Sequence, residues 1–563
     1  MAQNTIPLDF TFDEQTRSRA AFPQLNEAQI DRVKHLGKVR PIKQGEILFE
    51  QGDVRVPFFV FLSGAMEIVQ PVGKAEKPIT FHRYLGEFTG EVSMISGRRC
   101  LVRGRITEDG EVVEVPPDGL QKLIQTDAEL SEILMRAFIL RRVALIAAGL
   151  GDVVLLGSRH CSGTLRLREF LGRNGHPYTY VDLDTDKSAQ EILDNFHVKI
   201  HEVPVVICRG TTVLRNPTIQ KLADCLGYNQ SIDQVQVRDV IVVGAGPSGL
   251  AAAVYAASEG LDVMVIENNA PGGQAGSSSK IENYLGFPTG ISGQELAGRA
   301  FTQAKKFGAD IFISRSVTRL TCDRKPYIIE LEDGTKLSAR TVIIATGAQY
   351  NKLNVPNLAL FEGMGVYYGA TYIESQLCEK EEIVIVGGGN SAGQAAVYMA
   401  QTAKKVNILV RSAGLSDTMS RYLIRRIEDN PAIELHPFTE ITALDGTQHL
   451  EHVTWRNKKT GETESHDIRH VFLMTGAAPR TDWLKGCVAM DDRGFIKTGR
   501  DLSDDDLHTA NWSLPRPPSL LETSLPGVFA VGDARSGNVK RVASAVGEGS
   551  ISVSLVHRVL QEQ

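Results

Sequence analysis

The same strand, turn and helix signature occurs twice in this chain. IVVGAGPSGLAAAVYAASEG at 241–260 is an unbroken apolar run, a glycine turn and an alanine-rich stretch. Such a run bounded by glycine predicts a buried strand, and the alanines predict a closely packed helix. IVIVGGGNSAGQAAVYMAQTAKKVNILVR at 383–411 repeats the order. Two such units predict two parallel-sheet folds, each binding one nucleotide.

In the first unit Gly244, Gly246 and Gly249 form GxGxxG around Pro247 and Ser248. With 52 glycines, chance alone gives roughly 0.4 such matches, so context decides. A second strand, DVMVIE, ends in Glu267, where a carboxylate can accept hydrogen bonds from an adenosine ribose. The glycines let backbone approach a pyrophosphate at the helix N-terminus. In the second unit Gly387, Gly389 and Ala392 give GxGxxA, with Asn390 and Ser391 between them. Its second strand closes on Val410 and Arg411 rather than on an acid. An arginine there suits the 2′-phosphate of NADP; the alternative is a solvated strand end. One charge-assisted hydrogen bond contributes about 1.5–3 kcal/mol, a preference of roughly 10- to 150-fold.

The first unit runs to TVIIATGAQ, the second to HVFLMTGAAPR, and TSLPGVFAVGDARSG follows at 523–537. With GGQ at 272–274 and IENYLGFP at 281–288, this interrupted layout resembles the low-molecular-weight thioredoxin reductases over roughly residues 236–563. The resemblance implies FAD in the first unit, held by Gly273, Gln274, Asn283, Gly347 and Gly532 besides the glycine turn. It places Asp533 near the ribityl chain and Arg541, Val542 and Ala543 along the flavin ring. It implies NADPH in the second unit and a homodimer. The family's arginine cluster is partly kept: Ser412 and Ser416 replace arginines, and Arg421 could substitute.

The family carries Cys-Ala-Thr-Cys and an acid a few residues before its second glycine motif. Here the stretch GVYYGATYIE at 365–374 keeps Ala370 and Thr371, but Gly369, Tyr372 and Ile373 replace the two thiols and the acid. Disulfide reduction needs a thiol pair and a proton donor. Nearby Cys378 reads as a small buried residue. The seven cysteines, at 100, 161, 208, 225, 322, 378 and 487, form no CxxC. Their odd count and scatter predict a reducing, cytoplasmic setting with no disulfide framework, and no metal site is expected.

Upstream, PIKQGEILFEQGDVRVPFFVFLSGAMEIVQP at 41–71 alternates apolar and polar residues between turns, and 127–148 has a helical apolar period. This framework resembles the cyclic-nucleotide-binding β-roll. Glu91 matches the family's ribose-binding glutamate, but Arg98 and Arg99 fall early and Cys100 stands at the phosphate-binding arginine position. A cyclic nucleotide is one candidate ligand; the alternative is a degenerate roll serving dimer contacts or regulation. Residues 152–228 resemble a thioredoxin or glutaredoxin fold, with Pro204 at the cis-proline position. Cys161-Ser-Gly-Thr164 falls where CxxC would lie, so Cys161 is the candidate nucleophile and Thr164 the missing partner. The polar stretch YNQSIDQVQVRD at 228–239 reads as a linker.

The net charge of −6 argues against a nucleic-acid surface. The longest apolar run, at 143–156, is too short to span a membrane, and the N-terminus shows no signal peptide. The expected architecture is a multidomain chain: a β-roll with a C-terminal helix (1–149), a thioredoxin-like α/β domain (150–228), FAD-domain segments at 229–352 and 476–563, and an NADP domain at 353–475. The expected activity is hydride transfer from NADPH to FAD and on to an unidentified acceptor. The alternatives are a sensor of nucleotide or flavin state with little turnover, and a thiol-disulfide reductase using Cys161 with an external resolving thiol.

Overall fold

The strand Val237–Val243 lies at the centre of a parallel sheet because its last four residues, Val240 to Val243, are apolar and must be covered on both faces. The computed structural model describes residues 20–72, 75–148, 151–186, 202–209, 212–228, 232–447 and 449–562. They fall into two units: Met1–Ser158 with Asn174–Ser231 and Thr302–Ala309, and Arg159–Arg173 with Ile232–Phe301 and Asp310–Gln563.

In the second unit, Val237–Val243 pairs in parallel with Val263–Glu267 on one side and Lys336–Ile344 on the other. Asp310–Ile313 extends one edge, and an antiparallel ribbon of Tyr327–Leu331 and Val317–Thr321 extends the other. Arg238 fixes the N-terminal ends of three strands. Its buried guanidinium pairs with Asp262 at 2.6 Å and Asp310 at 2.9 Å, which matches the charge a lone buried cation would otherwise leave exposed to low dielectric. The short strand Val528–Ala530 returns to pair with Val342–Ile344. Between Ile344 and Val528 the chain builds a second, five-stranded parallel sheet, in the order Val366–Tyr367, His470–Leu473, Glu382–Val386, Lys405–Leu409, Ile433–His436. The chain segments entering and leaving it pair with each other, Ala348–Tyr350 against Ala477–Pro479.

The first unit holds two antiparallel sheets that form the β-roll. One orders Lys38–Ile42, Gly110–Val115, Phe58–Phe61; the other orders Ile47–Phe49, Arg103–Glu108, Ala65–Val72, Ala75–His82. Phe58, Phe88 and Phe138 meet in the core, the last from helix Ala128–Ala147. A four-stranded sheet follows, ordered Thr212–Arg215, Val205–Cys208, Val153–Gly157, Thr179–Asp182. The last two are parallel and the first two form a hairpin, the strand arrangement of a thioredoxin-like domain. The Val203–Pro204 bond is cis, as the resemblance implied. The linker expected at 228–239 is shorter than its composition suggested, since Val237 already belongs to the central strand; residues 229–231 lie outside the described residues. No helix among the described residues is long and apolar enough to cross a membrane.

One expectation is overturned. Cys322 and Cys487 form a disulfide across a separation of 165 residues, so the chain does carry a cross-link. Cys322 follows the Val317–Thr321 strand and Cys487 follows the turn Asp482–Leu484, whose neighbours pack into the same core. Tertiary contact brings the pair together, and no local spacing announces it. The cysteine pattern therefore gives no argument for a reducing compartment. Replacing Cys322 by serine should lower stability by about 2–4 kcal/mol. Denaturant unfolding without reductant checks this, and adding reductant to the unsubstituted protein should reproduce much of the loss.

Candidate functional site

The two glycine turns sit at the C-terminal ends of the central strands, and each opens a helix. In the first, helix Pro247–Ser258 is capped by Gly246. A methyl at Gly249 would lie 1.9 Å from the carbonyl oxygen of Gly244, and one at Gly244 would lie 2.3 Å from that of Ala345. Only glycine lets strand, turn and helix close at those two positions. A methyl at Gly246 would instead meet only the Cα of Gly273, at 3.9 Å, so the helix N-terminus stays open. Glu267 ends its strand buried, with its two oxygens accepting from the Ala245 N–H at 2.7 Å and the Asn269 N–H at 2.9 Å. Each oxygen keeps a second lone pair for a hydroxyl. Ser248 packs under Gly532 and under Gly549 of the C-terminal helix Val542–Glu562. The structure thus brings Gly244, Gly246, Pro247, Ser248, Gly249, Glu267, Gly273 and Gly532 to one crevice.

The remaining flavin-side expectations lie around it. The Gln274 amide donates to the carbonyl of Ala348, beside Gly347. Asp533 follows Gly532; burial pushes its carboxyl above the ordinary range, against the opposing pull of Lys540. Arg541, Val542 and Ala543 form the start of the C-terminal helix, with Arg541 and Ala543 exposed. Asn283 is exposed on the loop closed by the Ile281–Ile291 bridge. Its neighbour Glu282 pairs with Arg426 of the second sheet's helix Arg421–Glu428.

At the second turn, Gly389 caps helix Asn390–Met399, and nothing lies within 4 Å of a methyl placed there. Gly387 has φ +143°, and a side chain there would strike the carbonyl oxygen of Met474 at 2.3 Å. Asn390 accepts from the Ser420 N–H at 2.7 Å, which ties the helix start to the residue preceding Arg421. Arg411 and Arg421 are both exposed, and neither forms an ion pair among the described residues. Tyr350, which no motif singled out, lies beside Ser391 and within the field of Asp533; burial raises its phenol. It belongs to the strand pair between the two sheets, and only that pairing reveals it.

The stretch 365–374 begins as the edge strand Val366–Tyr367 and ends in helix Tyr372–Leu377. A methyl at Gly369 would stand 3.8 Å from Cβ of Ser277, in the turn that follows Gln274. Cys378 is buried in the second sheet's core, and burial pushes its thiol well above the ordinary range. One residue past Ile373, Glu374 is an acid that the family register passed over. It accepts from the Thr371 N–H at 2.9 Å and from the Thr371 hydroxyl, closing a capping box. Burial raises its carboxyl above the ordinary range, the Thr371 bond opposes this, and Glu169 adds to it.

In the first unit, the β-roll's candidate site residues Glu91, Arg98 and Cys100 have partners within the unit, one oxygen of Glu91 excepted. Glu91 is buried, with Arg142 at 3.5 Å. Arg98 donates to the Asn174 carbonyl at 2.7 Å and stacks on Tyr228 at 4.6 Å. Cys100 hydrogen-bonds the Val102 carbonyl, and burial pushes its thiol up to about 12. In the second unit, Cys161 immediately precedes helix Ser162–Arg173, while Thr164 is fully buried.

Residues 238–549 match the family described as pyridine nucleotide-disulphide oxidoreductase. The chain belongs to that family. Residues 39–127 match the cyclic nucleotide-binding domain. The chain is 31% identical to a thioredoxin reductase of Bacillus subtilis (strain 168) over 59% of its own length and 97% of that protein. It is 33% identical to a thioredoxin reductase of Mycolicibacterium smegmatis over 58% of its length and 98% of that protein. The crystal structure of Lactococcus lactis thioredoxin reductase superposes with a TM-score of 0.52 at 26% identity, covering 58% of this chain and 100% of that one. The architecture is therefore an N-terminal β-roll joined to a thioredoxin reductase-like pair of nucleotide-binding domains. Members of the thioredoxin reductase family use FAD and NADPH. The two open helix N-termini, the lone pairs of Glu267 and the uncommitted Arg411 and Arg421 fit those two groups.

The raised carboxyl of Glu374 has a signed consequence. A folded value above the unfolded one favours the neutral acid, so its contribution is present at acid pH and lost as pH rises through the folded value. Glu374→Gln keeps a neutral acceptor. The variant should match the unsubstituted protein at acid pH and exceed its melting temperature increasingly toward neutral pH. Thermal melts across pH check this, and a constant difference overturns it.

Proposed function

We propose that the chain is an NADPH-dependent flavoprotein oxidoreductase that delivers electrons to an external acceptor without a catalytic disulfide of its own. The observation that carries this is Gly369, a residue without a side chain, facing Ser277 beside the flavin crevice where the family places a thiol. Bound FAD would accept a hydride from NADPH and pass its electrons to a second substrate. The chain's part is positioning. Gly246 and Gly389 leave helix N-termini open to pyrophosphate, and their dipoles favour its charge. Glu267 takes the adenosine ribose of FAD, joined by Gly244, Pro247, Ser248, Gly249, Gly273, Gln274, Asn283, Gly347, Gly532 and Asp533. Arg541, Val542 and Ala543 flank the ring. Gly387, Asn390 and Ser391 hold the second nucleotide, and Arg411 with Arg421 receives its 2′-phosphate. Tyr350 links Ser391 to the Asp533 side. The reading keeps the domain limits 1–149, 150–228, 229–352 with 476–563, and 353–475. It includes a homodimer and a cytoplasmic location, the latter supported by the need for reduced pyridine nucleotide.

A second reading, a nucleotide-responsive regulator with little turnover, draws support from the β-roll. One oxygen of Glu91 is buried without a partner, and a ribose hydroxyl of a cyclic nucleotide is a candidate for it. Steady NADPH consumption with an acceptor separates the two readings.

Arg411→Ala should reduce the preference for NADPH over NADH roughly 10- to 150-fold. The ratio of flavin-reduction rates with the two nucleotides measures this, and an unchanged ratio removes the role. Substituting Cys161 and Cys378 by serine, singly and together, should leave NADPH turnover with quinones or ferricyanide intact. A double variant that still reduces flavin but loses turnover would reveal a thiol relay.

A further inference from the structure

The last residue of helix Ser162–Arg173 lies outside the 238–549 match yet bonds to the flavin crevice. The segment Arg159–Arg173 packs with the second unit, to which that crevice belongs. Arg173 donates from Nη2 to the Gly273 carbonyl at 2.7 Å. A methyl placed on Gly273 would lie 3.1 Å from Cα of Gly246, the residue that caps helix Pro247–Ser258. One placed on Gly276 would lie 3.9 Å from Nη2 of Arg173. The guanidinium therefore sits on the turn that borders the open helix N-terminus. The Gln294 amide donates to the carbonyl of Gly172 and fastens the same end of the Ser162–Arg173 helix. The cation is only partly answered where it stands. Its side chain is 15% exposed, whereas its carboxylate partner Glu169, 3.3 Å from Nη1, is 42% exposed, and water weakens a pair so placed. The Arg173 Nε is buried with no acceptor.

We propose that Arg173 is a binding residue for the pyrophosphate of FAD, a cation lent to the crevice by a helix outside the nucleotide-binding domains. The inference rests on the flavin reading and adds a residue to it. The glycine turn itself, Gly244 to Gly249, carries no positive side chain. Its helix N-terminus supplies about half an elementary charge, less than a diphosphate carries. A guanidinium at the border of that N-terminus makes up the difference. A buried donor left unmade costs about 1–3 kcal/mol, and a phosphate oxygen is the acceptor that suits the guanidinium fork. The bond to Gly273 and the position at the C-terminal end of its own helix, where a cation is favoured, hold the side chain in place before the nucleotide arrives. Binding then needs little further ordering of this long side chain.

The test dilutes the full-length holoprotein in steps and reads released flavin by its fluorescence, which gives the dissociation constant for FAD. Arg173→Gln should raise that constant roughly 10- to 150-fold, and Arg173→Lys, which keeps the charge, should recover much of the loss. ADP and adenosine, used to displace FAD, tell a phosphate contact from a reshaped crevice. In Arg173→Gln the advantage of ADP over adenosine should shrink by the same factor, while adenosine itself binds as before. An unchanged FAD constant, or an equal weakening of ADP and adenosine, would overturn the proposal. An unchanged constant with lost NADPH turnover would move the guanidinium to the acceptor and overturn it as well. If the unsubstituted protein holds no FAD, the flavin reading fails before any substitution is made, and the proposal falls with it.

Discussion

A carbonyl oxygen sets the geometry of the flavin crevice. That of Gly244 comes so close to position 249 that no Cβ fits between them. The strand therefore runs directly into the helix, and the helix N-terminus points at the space above the sheet. Everything else in the crevice is placed against that turn: Glu267 through the Ala245 N–H, Gly532 through Ser248, and the C-terminal helix through Gly549. The closeness of the backbone at these points leaves polar groups facing outward for a nucleotide instead of side chains filling the gap.

The parallel sheets were legible in the sequence because their strands are continuous apolar runs ended by glycine, a pattern few other structures produce. The same holds for the β-roll, where alternation and turns mark the strands. The candidate binding residues that belong to a local motif, such as Glu267 or Arg411, were legible for the same reason. What stayed hidden depends on chain segments meeting from afar. Tyr350 gains its place from a strand pair with Ala477. Cys322 meets Cys487 through packing that no spacing encodes. Glu374 was missed by one residue, because the family register pointed to Ile373 while the helix cap selected the acid beside it.

The β-roll keeps the framework of its family while Arg98 turns to other partners. Gly90 stays glycine because Phe138 lies 2.8 Å from where a methyl would be, which preserves the turn leading to Glu91. Yet Arg98, near the phosphate position, stacks on Tyr228 and bonds the Asn174 carbonyl, both from the thioredoxin-like part of the same unit. Arg98, two positions short of the family's phosphate-binding arginine, here joins one fold to the next.

The Cys322–Cys487 bond encloses the whole inserted nucleotide fold in a covalent ring. The chain is a lasso whose noose carries its second cofactor domain. A protease that cuts once inside the noose opens it and releases nothing, because both halves stay tied through sulfur. Damage to that domain would leave the molecule whole in mass and altered only in shape.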